Sequence, residues 1–167
     1  MKWNFILLAV LNLMSCGGGN ESTASFDCPT VSDNVSWLSY GQFTFQQSGD
    51  DSTARDIIAN CDWHVYNNHN GGEGDTLQIA SPNEEVILVW AFNEFRAYKL
   101  SPGWTGQTEN GIKIGNTITD LYAQYPTFNS QDGFNHTLVS GSDINVAVSS
   151  DINSSISSIL SGFYYRN

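Results

Sequence analysis

Three histidines are the residues best suited to bind a metal ion, but their spacing forms no known ligand pattern. They are His64, His69 and His136. A zinc site built from them would need ligands that converge from distant loops, whereas histidines in turns are commonly solvated. The turn that follows His69 also contains Glu73 and Asp75, but it lacks the alternating spacing of an EF-hand loop. We therefore expect solvated turn histidines, no bound metal and no cofactor.

The chain has 17 acidic residues, so some pair of carboxylates will lie close together whatever the fold. Two adjacent pairs, Asp50-Asp51 and Glu84-Glu85, fall at a predicted helix start and in a predicted turn. Solvent and the helix dipole account for acidic side chains there without glycosidase-type chemistry. The sequence contains no nucleophile elbow, no Walker glycines before a lysine and no H-E-x-x-H. We expect a protein that is not an enzyme; the alternative is a site assembled from scattered residues.

Aromatic side chains are concentrated in the middle of the chain. They indicate a functional surface more strongly than the histidines or the carboxylates do. Six of them make up the predicted partner-binding face: Trp63, Tyr66, Trp90, Phe92, Tyr98 and Trp104. These rings exceed what one short helix could cover on one sheet face, and recognition surfaces for proteins and glycans use such rings. Strand alternation predicts that Trp90 and Phe92 share a face. The alternative is that the six rings form the core of a small domain.

The overall composition favours a folded, sheet-rich protein. Hydrophobic residues make up 40% of the 167 residues and aromatic residues 13%, whereas charged residues make up only 14%. Polarity comes from Ser, Asn, Thr, Gln and Gly, which favours short strands and turns over salt-bridged helices. The net charge of −11 and the pI near 4.3 argue against binding to nucleic acid or anionic lipid surfaces, because both require a basic footprint.

The first 15 residues have the features of an export signal. Met1-Lys2 is a short basic region, and residues 3–14 are mostly apolar but too few to span a bilayer. The junction Leu13-Met14-Ser15-Cys16 resembles the lipobox of bacterial lipoproteins, although Met14 is an unusual residue at its position. This resemblance implies cleavage before Cys16 and attachment of lipid to Cys16. A plain secretory signal is the alternative.

The residues after Cys16 strengthen the lipoprotein interpretation. A Gly/Ser-rich run follows, which predicts a flexible tether that extends to residue 27 and holds a folded domain away from a membrane. Gly17, rather than an aspartate, follows Cys16. By resemblance to envelope-sorted lipoproteins, this implies an outer-membrane destination.

Cys28 and Cys61 remain after the lipidated cysteine is set aside. Export would place them in a compartment where disulfides persist, so we expect them to pair. A bridge across this loop would stabilise the domain by about 3–4 kcal/mol, chiefly by constraining the unfolded chain. The alternative is a pair of buried free thiols, because a sequence does not supply the Cα separation that a disulfide requires.

Residues 111–126 predict a short strand, a tight turn and a capped helix in succession. Ile112 and Ile114 alternate with polar neighbours as in a strand, and Gly115 can supply the positive φ of a tight turn. Thr117 and Asp120 form a capping box. The helix behind it carries an apolar stripe and ends before Pro126. The stripe consists of Ile118, Leu121, Tyr122 and Tyr125.

An earlier window, residues 49–61, echoes this helix start. Thr53, Asp56 and Ile57 align with Thr117, Asp120 and Leu121 at an offset of 64 residues, the difference between positions 117 and 53. The alignment predicts a second capping box at Thr53, after an alternating stretch at 42–45. The alternative is two unrelated helices that use a common N-terminal device.

Strand-like segments follow each helix. They cover 63–66, 76–80, 86–92 and 95–100 after the first helix, and 134–139, 144–148 and 156–165 after the second. Segment 86–92 is apolar on both sides and should be a central strand covered on both faces. Residues 101–106 are the expected linker between the two halves.

The motif G-x-[S/T]-x-x-[D/E]-[V/L] is formed by Gly115, Thr117, Asp120 and Leu121, with a poorer copy at the first helix. It resembles the unit of the beta-lactamase inhibitor protein-like fold, which is also seen in small outer-membrane assembly lipoproteins. The resemblance implies a scaffold and carries over no functional residue. We therefore expect an α+β fold with short helices packed on an antiparallel β-meander sheet, arranged as two helix-plus-meander repeats if the echo is genuine.

The expected organisation is a signal peptide over 1–15, a lipidated cysteine and tether over 16–27, and one α+β domain over 28–167. Residues 28–104 and 105–167 would be its two halves. The expected function is that of a non-enzymatic protein-binding or envelope-assembly module on the bacterial outer membrane. It would contact the membrane through its N-terminal lipid, bind a protein partner and bind no nucleic acid. The alternative is a secreted or periplasmic hydrolase or glycan-binding protein with a site that the sequence does not reveal.

Overall fold

The computed structural model describes residues 26–46, 51–69, 76–130, 133, 135–140 and 144–162. The predicted signal peptide, Cys16 and most of the predicted tether lie outside these residues. The elements in chain order are β1 (Val35–Ser36), β2 (Ser39–Tyr40), β3 (Phe43–Thr44), α1 (Asp51–Asn60), β4 (His64–His69), β5 (Thr76–Ala80), β6 (Val86–Ala91), β7 (Glu94–Leu100), α2 (Ile118–Gln124), β8 (Asn129–Ser130), β9 (Asn135–Ser140), β10 (Ile144–Ser150) and β11 (Ile156–Gly162). Neither helix in these ranges is long and apolar enough to cross a membrane.

The largest element of the fold is an eight-stranded antiparallel sheet in the order β4-β5-β6-β7-β11-β10-β9-β8. It consists of two four-stranded meanders, and one helix precedes each of them in the chain. The meanders join through their last strands, where Leu100 of β7 pairs with Ile159 of β11. This arrangement confirms the predicted α+β fold with helices on an antiparallel meander sheet.

Both helices and the small β1-β2-β3 sheet lie on one side of the large sheet. Ala54 and Ile57 of α1 and Leu121 of α2 are fully buried and belong to one hydrophobic core cluster with the sheet residues. That cluster contains residues from both predicted halves. Ile57 and Leu121 are the positions that the sequence echo aligns, so the echo identifies the apolar contact of each helix with the core.

The second helix forms as predicted. Thr117 is its N-cap and accepts a hydrogen bond from the Asp120 backbone N–H, while the Asp120 carboxylate accepts one from the Thr117 N–H at 2.9 Å. Gly115 has a φ of 89°, as the tight turn before the helix requires. All four residues of the predicted apolar stripe contact or belong to the core cluster.

Two predicted details around the helices are wrong. The helix α1 begins at Asp51, so Thr53 is its third residue and does not have the non-helical backbone of an N-cap.

Ile112 and Ile114 form no strand, because the backbone closes a local loop in which the Thr108 N–H donates to the Ile112 carbonyl. Both isoleucines still pack in or against the core. These two side chains are therefore buried although their backbone does not pair with a neighbouring strand.

The predicted linker at 101–106 is packed rather than free. Trp104 is 4% exposed and its indole N–H donates to the Asp33 carbonyl at 3.2 Å. A Cβ on Gly106 would lie 2.2 Å from that same carbonyl oxygen, so only glycine allows this close approach. Trp104 and Gly106 are thus buried against the chain near residue 33, while Pro102, Gly103 and Thr105 remain exposed.

The predicted disulfide is present. Cys28 and Cys61 are bonded with a Cα–Cα distance of 5.8 Å. The bond joins the N-terminal segment to the residue that follows α1, and the Cys61 N–H still donates to the Ile57 carbonyl at 2.8 Å.

Candidate binding face

Four of the six aromatic residues predicted to form a binding face lie in the core. Trp63, Trp90, Tyr98 and Trp104 are all 8% exposed or less, whereas Tyr66 is 46% and Phe92 is 42% exposed. A six-residue exposed face therefore does not exist in this structure. The alternative interpretation, in which the rings are core, holds for these four residues.

The N-terminal segment 29–45 packs over these rings, and we call it the N-terminal cover. Three of the buried rings donate hydrogen bonds to its main-chain carbonyls. The Trp63 indole N–H donates to the Pro29 carbonyl at 3.1 Å, and the Tyr98 hydroxyl donates to the Ser36 carbonyl at 2.7 Å. Trp104 donates to Asp33 as described above. Buried Trp and Tyr side chains need such partners for their polar atoms, and the cover supplies them.

Two phenylalanines of the cover complete the aromatic packing. Phe43 lies 5.7 Å from Trp90 between ring centroids, and Phe45 lies 5.3 Å from Phe95. Both phenylalanines are 8% exposed. The prediction of surplus aromatic surface considered only the helices as cover and therefore missed this layer. The alternation of aromatic residues at 43 and 45 was the signal that could have revealed it.

Phe92 does not share a face with Trp90, which corrects the strand prediction for 86–92. The strand β6 ends at Ala91, and Phe92 and Asn93 form the two-residue turn to β7 with φ values of 54° and 61°. Positive φ at both positions is the geometry of a type I′ hairpin turn. Because the backbone leaves the strand conformation after Ala91, the Phe92 side chain leaves the row of buried core rings.

The side of the large sheet away from the helices has a different character, and we call it the outer face. Cross-strand pairing places one row of side chains across six strands: Ala80, Ile87, Lys99, Leu160, Ala147 and Thr137. A second row contains Gln78, Val89, Ala97 and Gly162. None of these residues belongs to the core cluster. Six strands span about 24 Å, so the outer face is a broad surface of mostly small residues.

Part of the outer face is accessible to solvent. Val89, Leu160 and Ala147 are partly exposed and Lys99 is exposed, whereas the alanines between them and Ile87 are buried. The buried residues of α1 and α2 contact the core cluster on the other side of the sheet. The outer face therefore carries accessible apolar surface at Val89, Ala147 and Leu160.

The outer face also differs in charge from the rest of the chain. The chain contains 17 acidic and 6 basic residues. In the described strands of the large sheet Glu94 is the one acidic residue, and it lies at the hairpin end of β7. The basic residues Arg96 and Lys99 lie in the same strand. An acidic protein therefore presents a nearly neutral, slightly basic sheet surface.

The β6–β7 hairpin tip borders the outer face. Arg96 is the extra residue at a register shift between β6 and β7, next to Ala97 of the outer face. Its guanidinium lies 5.7 Å from the centroid of the Phe92 ring, and it pairs with Glu94 at 2.8 Å. The ion pair positions the guanidinium, which makes a cation–π contact with the exposed Phe92 ring.

The histidines do not converge. His64 lies exposed on β4, 4.0 Å from Glu84, and His69 is the last residue of that strand. His136 is 3% exposed and its Nδ1 lies 2.9 Å from the Tyr122 hydroxyl. The expectation of a solvated turn histidine is wrong for His136, because β9 directs it to the core face below α2. Within the described ranges no three His, Cys, Asp or Glu side chains are placed to hold a metal ion.

Among the residues that the structure describes, two carboxylates have a shifted pKa, and both have local structural partners. The pKa of Glu85 is lowered by its own backbone N–H and then by Asn83, whose amide donates to it at 3.0 Å; Ser81 also donates at 2.9 Å. The pKa of Asp120 is lowered by the Thr117 hydroxyl and backbone N–H of the capping box. These hydrogen bonds stabilise a turn and a helix start. A general acid would need a raised pKa instead.

Comparison of this chain with family models, with curated proteins and with solved structures finds no match. The resemblances to the lipobox and to the beta-lactamase inhibitor protein-like fold therefore remain predictions from sequence motifs.

Proposed function

We propose that this protein is a non-enzymatic binding module of the bacterial cell envelope, anchored by lipid at Cys16, and that it binds a protein partner through its outer face. The observation that carries the proposal is the charge and shape of that face. It is broad, built of small and apolar residues, partly accessible, and nearly free of acidic side chains in a chain of net charge −11.

The charge distribution indicates the chemistry of the partner. A neutral contact surface can pack on Val89, Leu160 and Ala147 without desolvating a carboxylate. The acidic residues elsewhere on the protein would attract a partner whose contact surface is bordered by basic residues. They would repel a partner with an acidic border. We therefore expect a protein partner with a neutral contact surface inside a basic border.

Site-specific photocrosslinking in the native envelope tests the proposal. A photoreactive residue at Leu160 on the outer face should give a discrete crosslinked product. The matched control places it at Ala59, which is exposed on α1 on the opposite side. A second test adds charge: Leu160→Glu should reduce the product obtained from a photoreactive residue at Val89 by about tenfold or more, because it buries a carboxylate at the contact. Equal products from Leu160 and Ala59 would contradict the proposed face.

The anchor is tested separately by intact-mass spectrometry of membrane-extracted protein. The expected chain begins at Cys16 and carries additional acyl mass. A soluble product that is cleaved at another position would refute the lipid anchor and would leave the outer face to be tested alone.

A further inference from the structure

The disulfide lies where the predicted tether meets the folded domain. Cys28 directly follows the tether residues 16–27, and its partner Cys61 directly follows α1. We propose that this bond is the mechanical junction between tether and domain. It passes tension from residue 28 to the end of α1 and keeps the N-terminal cover out of the path of that tension. The inference rests on the proposed function, because tension reaches residue 28 only when the chain is anchored.

Without the bond, the N-terminal cover would be the first part of the domain under load. Hydrogen bonds spaced along its main chain hold it to the rest of the domain. The carbonyls of Pro29, Val31, Asp33, Ser36 and Trp37 accept bonds from Trp63, Thr105, Trp104, Tyr98 and Ser161. Val35 adds a backbone bridge, in which its N–H donates to the Gln107 carbonyl and its carbonyl accepts from the Glu109 N–H. A pull at residue 28 would load these bonds one after another, starting at Pro29.

Loss of the cover would open the aromatic core. Phe43 and Phe45 pack on Trp90, Phe95 and Tyr98 with ring centroids less than 6 Å apart. With the bond in place, tension enters instead at Cys61, beside a helix whose residues Ala54 and Ile57 are fully buried.

Single-molecule pulling on the unlipidated chain from residue 16 to the C-terminus tests the proposal. The Cys16 thiol attaches one handle, since the chain has three cysteines and the other two are bonded. The oxidised protein should unfold without an early event. The Cys28→Ser/Cys61→Ser variant should show an added early event at lower force that releases roughly 60 Å of chain, the extended length of residues 29–45. It should also give about 120 Å more total extension, because 33 residues are no longer closed in a loop.

A matched control separates the path of tension from general stability. The same serine variant is pulled through a handle at Asn60→Cys, with Cys16→Ser, so that tension enters at the end of α1 without the disulfide. The early event should disappear. If the early event persists with this handle, or if the serine variant pulled from residue 16 shows no early event, the proposed junction is overturned. The measurement needs no lipid, so its failure is distinct from a failure of the lipid anchor or of partner capture.

Discussion

The two faces of the large sheet are built from the same strands but differ in burial and in side-chain composition. On the core face, Trp90, Tyr98 and Phe95 are at most 2% exposed and are sealed by the N-terminal cover and the helices. On the outer face, Val89 and Leu160 remain partly accessible, and each pairs across the sheet with one alanine and one longer polar side chain. The comparison shows that aromatic residues mark the interior of this protein, whereas the candidate contact surface is marked by small residues and a lack of acidic charge.

The largest difference between the faces should appear in adjacent residues of β6. Trp90→Ala should lower the free energy of unfolding by about 3–5 kcal/mol, because it leaves a large cavity in the core. The matched change Val89→Ala, one residue away on the outer face, should lower it by about 1 kcal/mol or less. Chemical denaturation of both variants measures these values. Similar losses would show that the outer face is as tightly packed as the core.

A smaller effect is expected where the core face bonds to the N-terminal cover. Tyr98→Phe removes the donor to the Ser36 carbonyl and should cost about 1–2 kcal/mol, since a partly buried acceptor loses this donor. Tyr66→Phe, at a ring that is 46% exposed, should change stability very little. Thermal unfolding of the pair provides the measurement. An unchanged midpoint for Tyr98→Phe would mean that the cover is held by packing alone.

Substitutions at the β6–β7 hairpin tip, beside the outer face, should raise the stability of the protein instead of lowering it. Phe92→Asn with Asn93→Gly supplies the residues that a type I′ turn prefers and should raise stability by about 1 kcal/mol, although the contact between Phe92 and Arg96 is lost. Ile152→Asn, at an exposed position in the β10–β11 turn, is the control and should leave the unfolding midpoint unchanged. Destabilisation of the double variant would show that the contact with Arg96 outweighs the backbone strain.

The smallest effect concerns the cap that holds α2 above the core face. Because the folded-state pKa of Asp120 is lowered, its stabilisation is present above the unfolded pKa of about 4 and is lost as pH falls through the folded pKa. Asp120→Asn should therefore lower the unfolding midpoint at pH 7, and the difference from the unchanged protein should shrink below about pH 4. A difference that is constant with pH would indicate that the carboxylate charge is not involved.

The local elements of this protein follow from short stretches of sequence. The capping box at Thr117 and Asp120, the apolar stripe of α2 and the stop before Pro126 depend on contacts within a few residues, and all of them form as predicted. The disulfide was predicted from cysteine count and an expected oxidising compartment, and it is present. The assumption that Thr53 repeats the Thr117 cap was wrong, because α1 begins two residues earlier.

The candidate surface could not be predicted in the same way. Aromatic content near Trp63, Trp90 and Tyr98 was visible in the sequence, but whether those rings are core depends on residues 29–45, which are distant in the chain and reach them only through the fold. The outer face likewise exists only once β7 and β11 pair and bring Lys99 next to Leu160. The sequence by itself determined the helices and most strands, because local periodicity and, for α2, the capping box encode them, and the cysteine count favoured the pair. The tertiary structure decided which side of the sheet is covered, because that depends on contacts between segments far apart in the chain.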